Sequence, residues 1–344
     1  MSKRILFVID NLKIGGAEQV FRDIVYLCNN QINFDVLLIT DFNGEQIKLP
    51  ITVKVIHLHR KSKYNIINLL QLNSILLKYN IVHIHMRHTY LYLSIVKKVF
   101  FLKNIFIFHD HYGKIGIDKS KPFRLARFFK PNIYIGVCNE LCKWAVDVWK
   151  LDVEKVVCLQ NLPNEEFLKN LLIKKNNKNG KIVMVGNIKP IKNQLFALNI
   201  AKKTNAKIDF IGKNQDEEYY QILKKNISDN LIIEDCNDVR VELIKYDIGI
   251  FTSISESGPL VILEYLLCGL PFISYKSGGI ADILSKYYPE FFIETFEEAA
   301  WIERIKYLLN NPPKINLVLV NKIIITEFNR EDYLLKLKGV YSIA

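Results

Sequence analysis

The sequence predicts an α/β protein made of two doubly wound, Rossmann-like domains. Three observations predict it. Short apolar runs alternate with longer stretches of helical period. This rhythm breaks at a polar, basic segment near the middle of the chain and then restarts. The 344 residues, half of them apolar, suffice for two cores of ordinary size.

In the first half, RILFVID (4–10), FDVLLIT (34–40), IVHIH (81–85), NIFIFH (104–109) and NIYIGV (132–137) read as buried parallel strands. Strands covered on both faces are continuously apolar rather than alternating. Helices are expected between them, as over Ala17–Asn29 and Ile66–Lys78. The segment KNLLIKKNNKNGK (169–181) is polar and ends in Asn-Gly, as linkers do. Beyond it KIVMVG (181–186), KIDFIG (207–212), NLIIED (230–235), DIGIFT (247–252) and PFISY (271–275) repeat the strand pattern. The expected division is therefore a first domain over 1–168, a linker over 169–180 and a second domain over 181–324. A C-terminal helix over 325–344, patterned around Tyr333, Leu334, Leu337 and Val340, is expected to pack back on the first domain. Open sheets of this kind bind ligands outside the carboxyl ends of their strands, so two that face each other make a cleft.

The formal charge of +12 favours anionic partners: phosphorylated substrates, nucleic acid or an acidic membrane surface. Lys, Ile and Asn are abundant throughout, so part of this excess is compositional. Cys28, Cys138, Cys142, Cys158, Cys236 and Cys268 form no C-x-x-C pair, which argues against a disulfide framework and structural zinc and for a reducing cytoplasm. The apolar run Ile5–Ile9 ends at Asp10, so it reads as a first strand rather than a signal peptide. No run of about 18 uncharged apolar residues exists to span a membrane. The best approach, 90–108, is broken by Lys97, Lys98 and Lys103.

The chemistry concentrates in TSISESGPLVILEYLLCGLPFISYKSGGIADIL (252–284). A strand ends and a polar loop, SISESG, follows. Pro259 suits a first helical position, and Gly269 with Pro271 ends the helix. Glu264 is the only charge between Leu260 and Cys268. A helix so apolar is expected to be buried, and a buried carboxylate needs partners. Ribose hydroxyls would serve, and so would a backbone group or a lysine. Glu256 lies eight residues earlier, on a loop at a strand's carboxyl end. The free N–H groups near Ser257, Gly258, Leu260 and Val261 form an anion site at the helix start.

The stretch ESGPLVILE (256–264) resembles the E-x7-E motif of retaining GT-B glycosyltransferases, specifically glycosyltransferase family 4. GLPFISYKSGGIADIL (269–284) is similar to that family's continuation. NLKIGGAEQV (11–20) resembles its Gly-Gly loop, IVHIH its "vvHaH" strand, VVCLQNLPN (156–164) the stretch before its linker, and VGNIKPIKNQ (185–194) its "G-R-L-x-x-x-K" phosphate loop. The resemblance thus spans nearly the whole chain. It implies a GT-B fold and transfer of a sugar from a nucleotide diphosphate with retention of configuration, without metal or other cofactor. By that resemblance Glu256 meets the donor sugar, Glu264 binds the ribose and Lys192 neutralises the leaving diphosphate. Gly15 and Gly16 let backbone approach the donor phosphates, and His109 sits beside the sugar. Gly186, Asn187, Ser257, Gly258, Leu260 and Val261 complete the donor contacts. Two departures stand out: Asn187 replaces the usual Arg, with Lys189 as a nearby substitute, and Asp282 replaces a Glu. The setting implied is surface polysaccharide or glycolipid assembly, in the cytoplasm or peripherally on the inner face of the membrane. The acceptor would be a saccharide or lipid-linked saccharide.

Other readings compete. Six of the seven histidines form three H-x-H pairs, His57/His59, His83/His85 and His109/His111. Alternate residues of a strand share a face, so such pairs could bind zinc in a metal-dependent hydrolase, with Asp110 as the nearest acid. By the resemblance His85 and His109 line the cleft, while His57 and His59 read as ordinary surface or strand-end residues and His83 as structural. From Lys97 to Lys130 nine Lys or Arg face only Asp110 and Asp118, with Phe100, Phe101, Phe123, Phe128 and Phe129 interleaved. That pattern suits an anionic leaflet, or a solvated helix face with its phenylalanines turned inward. No helix-turn-helix, zinc-finger or RNP signature supports nucleic acid, and no G-x-G-x-x-G follows a strand to support an oxidoreductase.

Overall fold

The computed structural model describes residues 3–62, 64–120, 129–169, 180–227, 231–234, 236 and 238–344. They divide into two compact units. One runs up to Leu162 and takes in Asn329–Ala344; the other is Pro163–Phe328. The boundaries expected at 168 and 324 thus fall at 162 and 328, and most of the expected linker, 170–179, lies outside the described residues.

The first unit holds a parallel sheet of β1 (Ile5–Ile9), β2 (Phe34–Leu38), β3 (Val55–His57), β4 (Ile81–His85), β5 (Ile105–Asp110), β6 (Ile133–Gly136) and β7 (Val156–Cys158), in the order β3-β2-β1-β4-β5-β6-β7. The order reverses between β1 and β4, the point at which such sheets open a crevice. Burial on both faces is why β1 is apolar at every position; all five residues of β1 and of β4 are buried, including His83 and His85 of β4. Helices Gly16–Cys28, Ile66–Leu76, Arg87–Val99 and Asn139–Asp147 connect the strands. On one side Trp149 packs edge-on against Tyr90, Phe108 and Tyr134, with ring centroids 6.0–6.2 Å apart. On the other the Arg330–Ile343 helix lies against the Gly16–Cys28 helix. Asn329 caps its start by accepting from the N–H groups of Glu331 and Asp332, and Lys3 Nζ donates to the carbonyls of Tyr341 and Ser342 at its end. The expected single C-terminal helix is in fact two, Leu317–Glu327 and Arg330–Ile343, and the second belongs to the first unit.

The second unit repeats the plan with β8 (Lys181–Val185), β9 (Lys207–Ile211), β10 (Ile232–Ile233), β11 (Ile248–Phe251), β12 (Phe272–Tyr275) and β13 (Phe292–Ile293), ordered β10-β9-β8-β11-β12-β13 and parallel throughout. Its reversal lies between β8 and β11. The run expected over 230–235 keeps only Ile232–Ile233 as strand; positions 230 and 235 lie outside the described residues.

Candidate functional site

In the second unit the carboxyl ends of β8 and β11 bring the phosphate-loop and E-x7-E segments together. Gly212, just after β9, packs closely on the turn that leaves β8 at Gly186. A Cβ there would lie 2.3 Å from the Gly186 carbonyl oxygen, and its φ of +153° is one that L side chains rarely adopt. The chain then turns through the 3-10 segment Pro190–Lys192 into the Gln194–Lys203 helix. Thr252 and Ile254 fasten this turn to the loop after β11. Thr252 Oγ1 donates to the Lys192 carbonyl (3.1 Å), and the Ile254 N–H donates to the Ile191 carbonyl (2.9 Å).

Fixed in this way, Lys192 and Glu256 meet. The Lys192 ammonium donates to Glu256 Oε1 at 2.5 Å, and Ser253 Oγ donates to the same oxygen at 2.5 Å. The two side chains are 17% and 14% exposed. The Glu256 N–H donates to Ser277 Oγ (2.9 Å), and the Gly279 N–H to the Ser257 carbonyl (2.9 Å), so the Gly-Gly turn after β12 braces the loop from the other side. Gly278 has φ +84°, and a Cβ there would come within 2.9 Å of the Glu256 carbonyl oxygen. Thr252, Ser253 and Ser277, whose hydroxyls hold this arrangement, were not singled out by the sequence. Their only signal was the density of hydroxyls in TSISES and SGG.

The Leu260–Leu267 helix starts here with no side-chain cap. Pro259, expected as its first residue, is instead its N-cap, with extended ψ of 98°. The first N–H groups, those of Leu260 and Val261 among them, have no partner within the helix. Tyr265 anchors the helix to the sheet: its Oη accepts the Val185 N–H at 2.9 Å, and its ring fills the space a Cβ on Gly249 would occupy. The far end closes as a Schellman turn, with Leu270 N–H to the Tyr265 carbonyl, Gly269 N–H to the Leu266 carbonyl and Gly269 at φ +67°. The helix is not buried all round. Leu260, Val261 and Glu264 are only half-buried, so Glu264 is reachable rather than the enclosed carboxylate expected. Leu260 and Glu264 stand one turn apart on this face. Asn187 offers a backbone carbonyl, which Gln194 Nε2 engages at 3.0 Å, and the Lys189 ammonium donates to Gln215 Oε1 at 3.1 Å.

In the first unit Gly15 is the N-cap of the Gly16–Cys28 helix, after β1. Gly16 is exposed, and a Cβ there would meet nothing within 4 Å. Beside it Asp10 gathers Asn11, Thr40, Arg60 and His88. Burial alone would raise its carboxyl, but His88, Thr40 and Arg60 outweigh this and hold it below the usual carboxylate range. His109 is wholly buried, not part of an exposed wall. Its ring stacks on His111 (4.4 Å) and lies 4.8 Å from His85 and 5.4 Å from His83. A sugar hydroxyl reaching it would have to displace part of that packing. Burial keeps these rings neutral: His83 and His111 are pushed down to about 3, and His85 and His109 well below the usual value. Among the described residues two groups have the side chains to hold a metal: His83, His85 and His109, all buried, and Asp41, His57 and His59, all exposed.

The basic stretch divides. Lys97 turns inward, donating to the Asn104 carbonyl over the Phe106 ring, and Phe100 and Phe129 pack on the core. Val99 and Phe101 stay 57% and 88% exposed. Lys121, Phe123, Arg124, Arg127 and Phe128 lie outside the described residues. No helix among the described residues is long and apolar enough to cross a membrane.

Comparison with known proteins bears on this geometry. A Haemophilus influenzae protein described as an uncharacterised glycosyltransferase is 26% identical over 203 residues, 55% of this chain and 57% of its own length. The chain thus spans little more than half of that relative. Among solved structures, Anabaena HepE in complex with UDP and glucose superposes with a TM-score of 0.80 at 13% identity, covering 99% of this chain and 100% of its own. A variant of Staphylococcus aureus TarM, bound to fondaparinux, α-GlcNAc-glycerol and UDP, gives 0.74 at 12% identity, covering 98% and 99%. Residues 168–321, which include Lys192, Glu256 and Glu264, match the family model described as glycosyl transferases group 1, within a chain whose two units have the fold of the GT-B glycosyltransferases.

Proposed function

We propose that the protein is a glycosyltransferase that moves a sugar from a nucleoside diphosphate to an acceptor hydroxyl, with retention and without a metal at the reacting centre. One observation carries this reading: Lys192, on the turn after β8, is held 2.5 Å from Glu256, on the loop that leads from β11 into a helix start with no side-chain cap. The bond from the anomeric carbon to the diphosphate oxygen breaks, and the electron pair leaves with the diphosphate. Lys192 and the N–H groups of Leu260 and Val261 stabilise that charge. Backbone at Gly186, Asn187, Ser257 and Gly258 adds positioning contacts, and Glu264 takes the ribose. Glu256 meets the sugar hydroxyls near the reacting carbon. The acceptor hydroxyl attacks from the same face and gives its proton to the departing oxygen. A saccharide acceptor is assigned to the first unit, where Asp10, His88 and Arg60 mix donors and acceptors.

Glu256→Ala should abolish transfer while the fold survives; unchanged transfer would remove Glu256 from the mechanism. HepE holds UDP and glucose, so UDP-sugars head the donor screen, followed by GDP-, ADP- and CDP-sugars. Transfer should persist in EDTA as long as the thermal midpoint is unchanged, and loss of transfer in a still-folded protein, restored by magnesium or manganese, would refute the metal-free step. Work in surface polysaccharide or glycolipid assembly, at the membrane face, is supported by exposed Val99 and Phe101 beside the basic stretch. Flotation with anionic vesicles tests it, and a protein that stays at the bottom of the gradient counts against it.

A further inference from the structure

The first unit stacks four imidazoles on adjacent parallel strands. His83 and His85 alternate on β4, His109 is on β5 directly opposite His85, and His111 follows just past the strand end. His83 Nε2 and His109 Nδ1 are 3.3 Å apart. Two nitrogens on one tetrahedral zinc, each about 2.0–2.1 Å from it, are themselves about 3.3 Å apart. His85 supplies a third nitrogen, and the three ligand atoms all lie within 4.8 Å of one another. A plain hydrogen bond between His83 and His109 would use their facing atoms. It would leave Nε2 of His85 buried with no hydrogen-bond partner, an atom a third ligand position would use.

We propose that His83, His85 and His109 bind one transition-metal ion of the zinc class. The nearest carboxylate, Asp110, is engaged by Arg87 and Tyr134, so the donor set is all imidazole. Imidazole selects zinc, copper, nickel or cobalt over magnesium and calcium. His111, whose Nε2 is 2.9 Å from His85 Nδ1, is the nearest further ligand. Tyr341 Oη, 2.7 Å from His83 Nδ1, is the outer partner that orients the ring. Through it the ion would fasten the Arg330–Ile343 helix to the sheet. His83, His85 and His109 have no exposed surface, so the site is structural and loads as the chain folds, with no room for the substrate of a hydrolase.

The test is expression of the full chain in zinc- and cobalt-containing media, with metal analysis and visible absorption. One equivalent per chain, with the ligand-field bands of a tetrahedral cobalt site and a raised thermal midpoint, is expected. His85→Gln should lose the ion. Tyr341→Phe should weaken it roughly 10- to 100-fold in competition with a chromophoric chelator. His59→Ala, which breaks the exposed Asp41, His57 and His59 group, should leave stoichiometry and spectrum unchanged. Folded protein without metal, or binding that disappears in His59→Ala and persists in His85→Gln, overturns the proposal. If His85→Gln does not fold, unchanged affinity in Tyr341→Phe overturns it.

Discussion

Replacing Glu256 with glutamine should tighten nucleoside-diphosphate binding while it abolishes transfer. The Lys192 ammonium is committed to Glu256 Oε1 at 2.5 Å. A diphosphate that recruits Lys192 must share or break that pair, and must also approach the carboxylate. With the side chains 17% and 14% exposed, the pair stands between surface and buried ion pairs. Surface pairs contribute about 0–1 kcal/mol, and breaking a buried one costs about 3–5 kcal/mol, so about 1–2 kcal/mol opposes diphosphate binding here. Removing the charge converts to roughly 5- to 30-fold tighter UDP. Glutamine keeps the side chain's shape and an oxygen for Ser253. Calorimetry with UDP at fixed salt reads the gain, and product formation from a UDP-sugar reads the loss. Lys192→Ala alone should weaken UDP by about 1.5–3 kcal/mol, the worth of charged hydrogen bonds. In that background Glu256→Gln should gain much less, because no ammonium remains to be released. A Glu256→Gln protein of unchanged thermal midpoint that binds UDP no tighter would refute the competition.

Three further outcomes follow from the geometry. Gly278→Ala should cost about 1–3 kcal/mol, because φ is +84° and the new Cβ meets the Glu256 carbonyl at 2.9 Å; an unchanged denaturation midpoint would contradict this. Arg87→Ala should cost about 3–5 kcal/mol, since it strips the cation from Asp110, whose side chain is 1% exposed; urea titration measures it, and a loss below that of a surface substitution would count against a buried pair. Burial raises the Glu18 carboxyl above its ordinary 4.5, against smaller opposing effects of its own N–H and Lys13. Its folded pKa therefore exceeds its unfolded one, and its ionisation removes stability as pH climbs from 4.5 through the folded value. Glu18→Gln should be the more stable protein at pH 7.5, with the gap closing near pH 4.5; a gap that widens on acidification would reverse the sign.

The long central strands were legible because their apolar runs have no other physical use. IVHIH is β4 residue for residue, and KIVMV is β8. The strands that escaped are β3 (Val55–His57), β7 (Val156–Cys158) and β13 (Phe292–Ile293), each two or three residues long and at a sheet edge. An edge strand pairs on one side only and is too short to show a period. In the site, ESGPLVILE located both carboxylates, but the 64-residue link from Lys192 to Glu256 is visible only once β8 and β11 pair. Composition misplaced Glu264, because a helix can be apolar in content yet leave Leu260, Val261 and Glu264 on a reachable face. The H-x-H pairs announced rings on shared faces. That His85 stands opposite His109 depends on the β4–β5 register, which no local pattern states.

Under the proposed reaction the departure at Asn187 has a structural counterpart. The family pattern places an arginine there, and Lys189 was the candidate to replace it. Its ammonium is instead held by Gln215 Oε1 at 3.1 Å. Lys192 is then the cation set against the diphosphate, beside the uncapped start of the Leu260–Leu267 helix. A single ammonium must be positioned well to be worth much. The turn that carries it is therefore tied at Ile191 and Lys192 to the loop that carries Glu256. Glu256 gains a second role from this. It holds the ammonium in place and spares a largely buried cation the cost of standing unpaired. With a donor bound it releases the cation to phosphate and turns to the sugar. One carboxylate thus links the arrival of the leaving group to the positioning of the reacting carbon, a coupling that two fixed cations would not require.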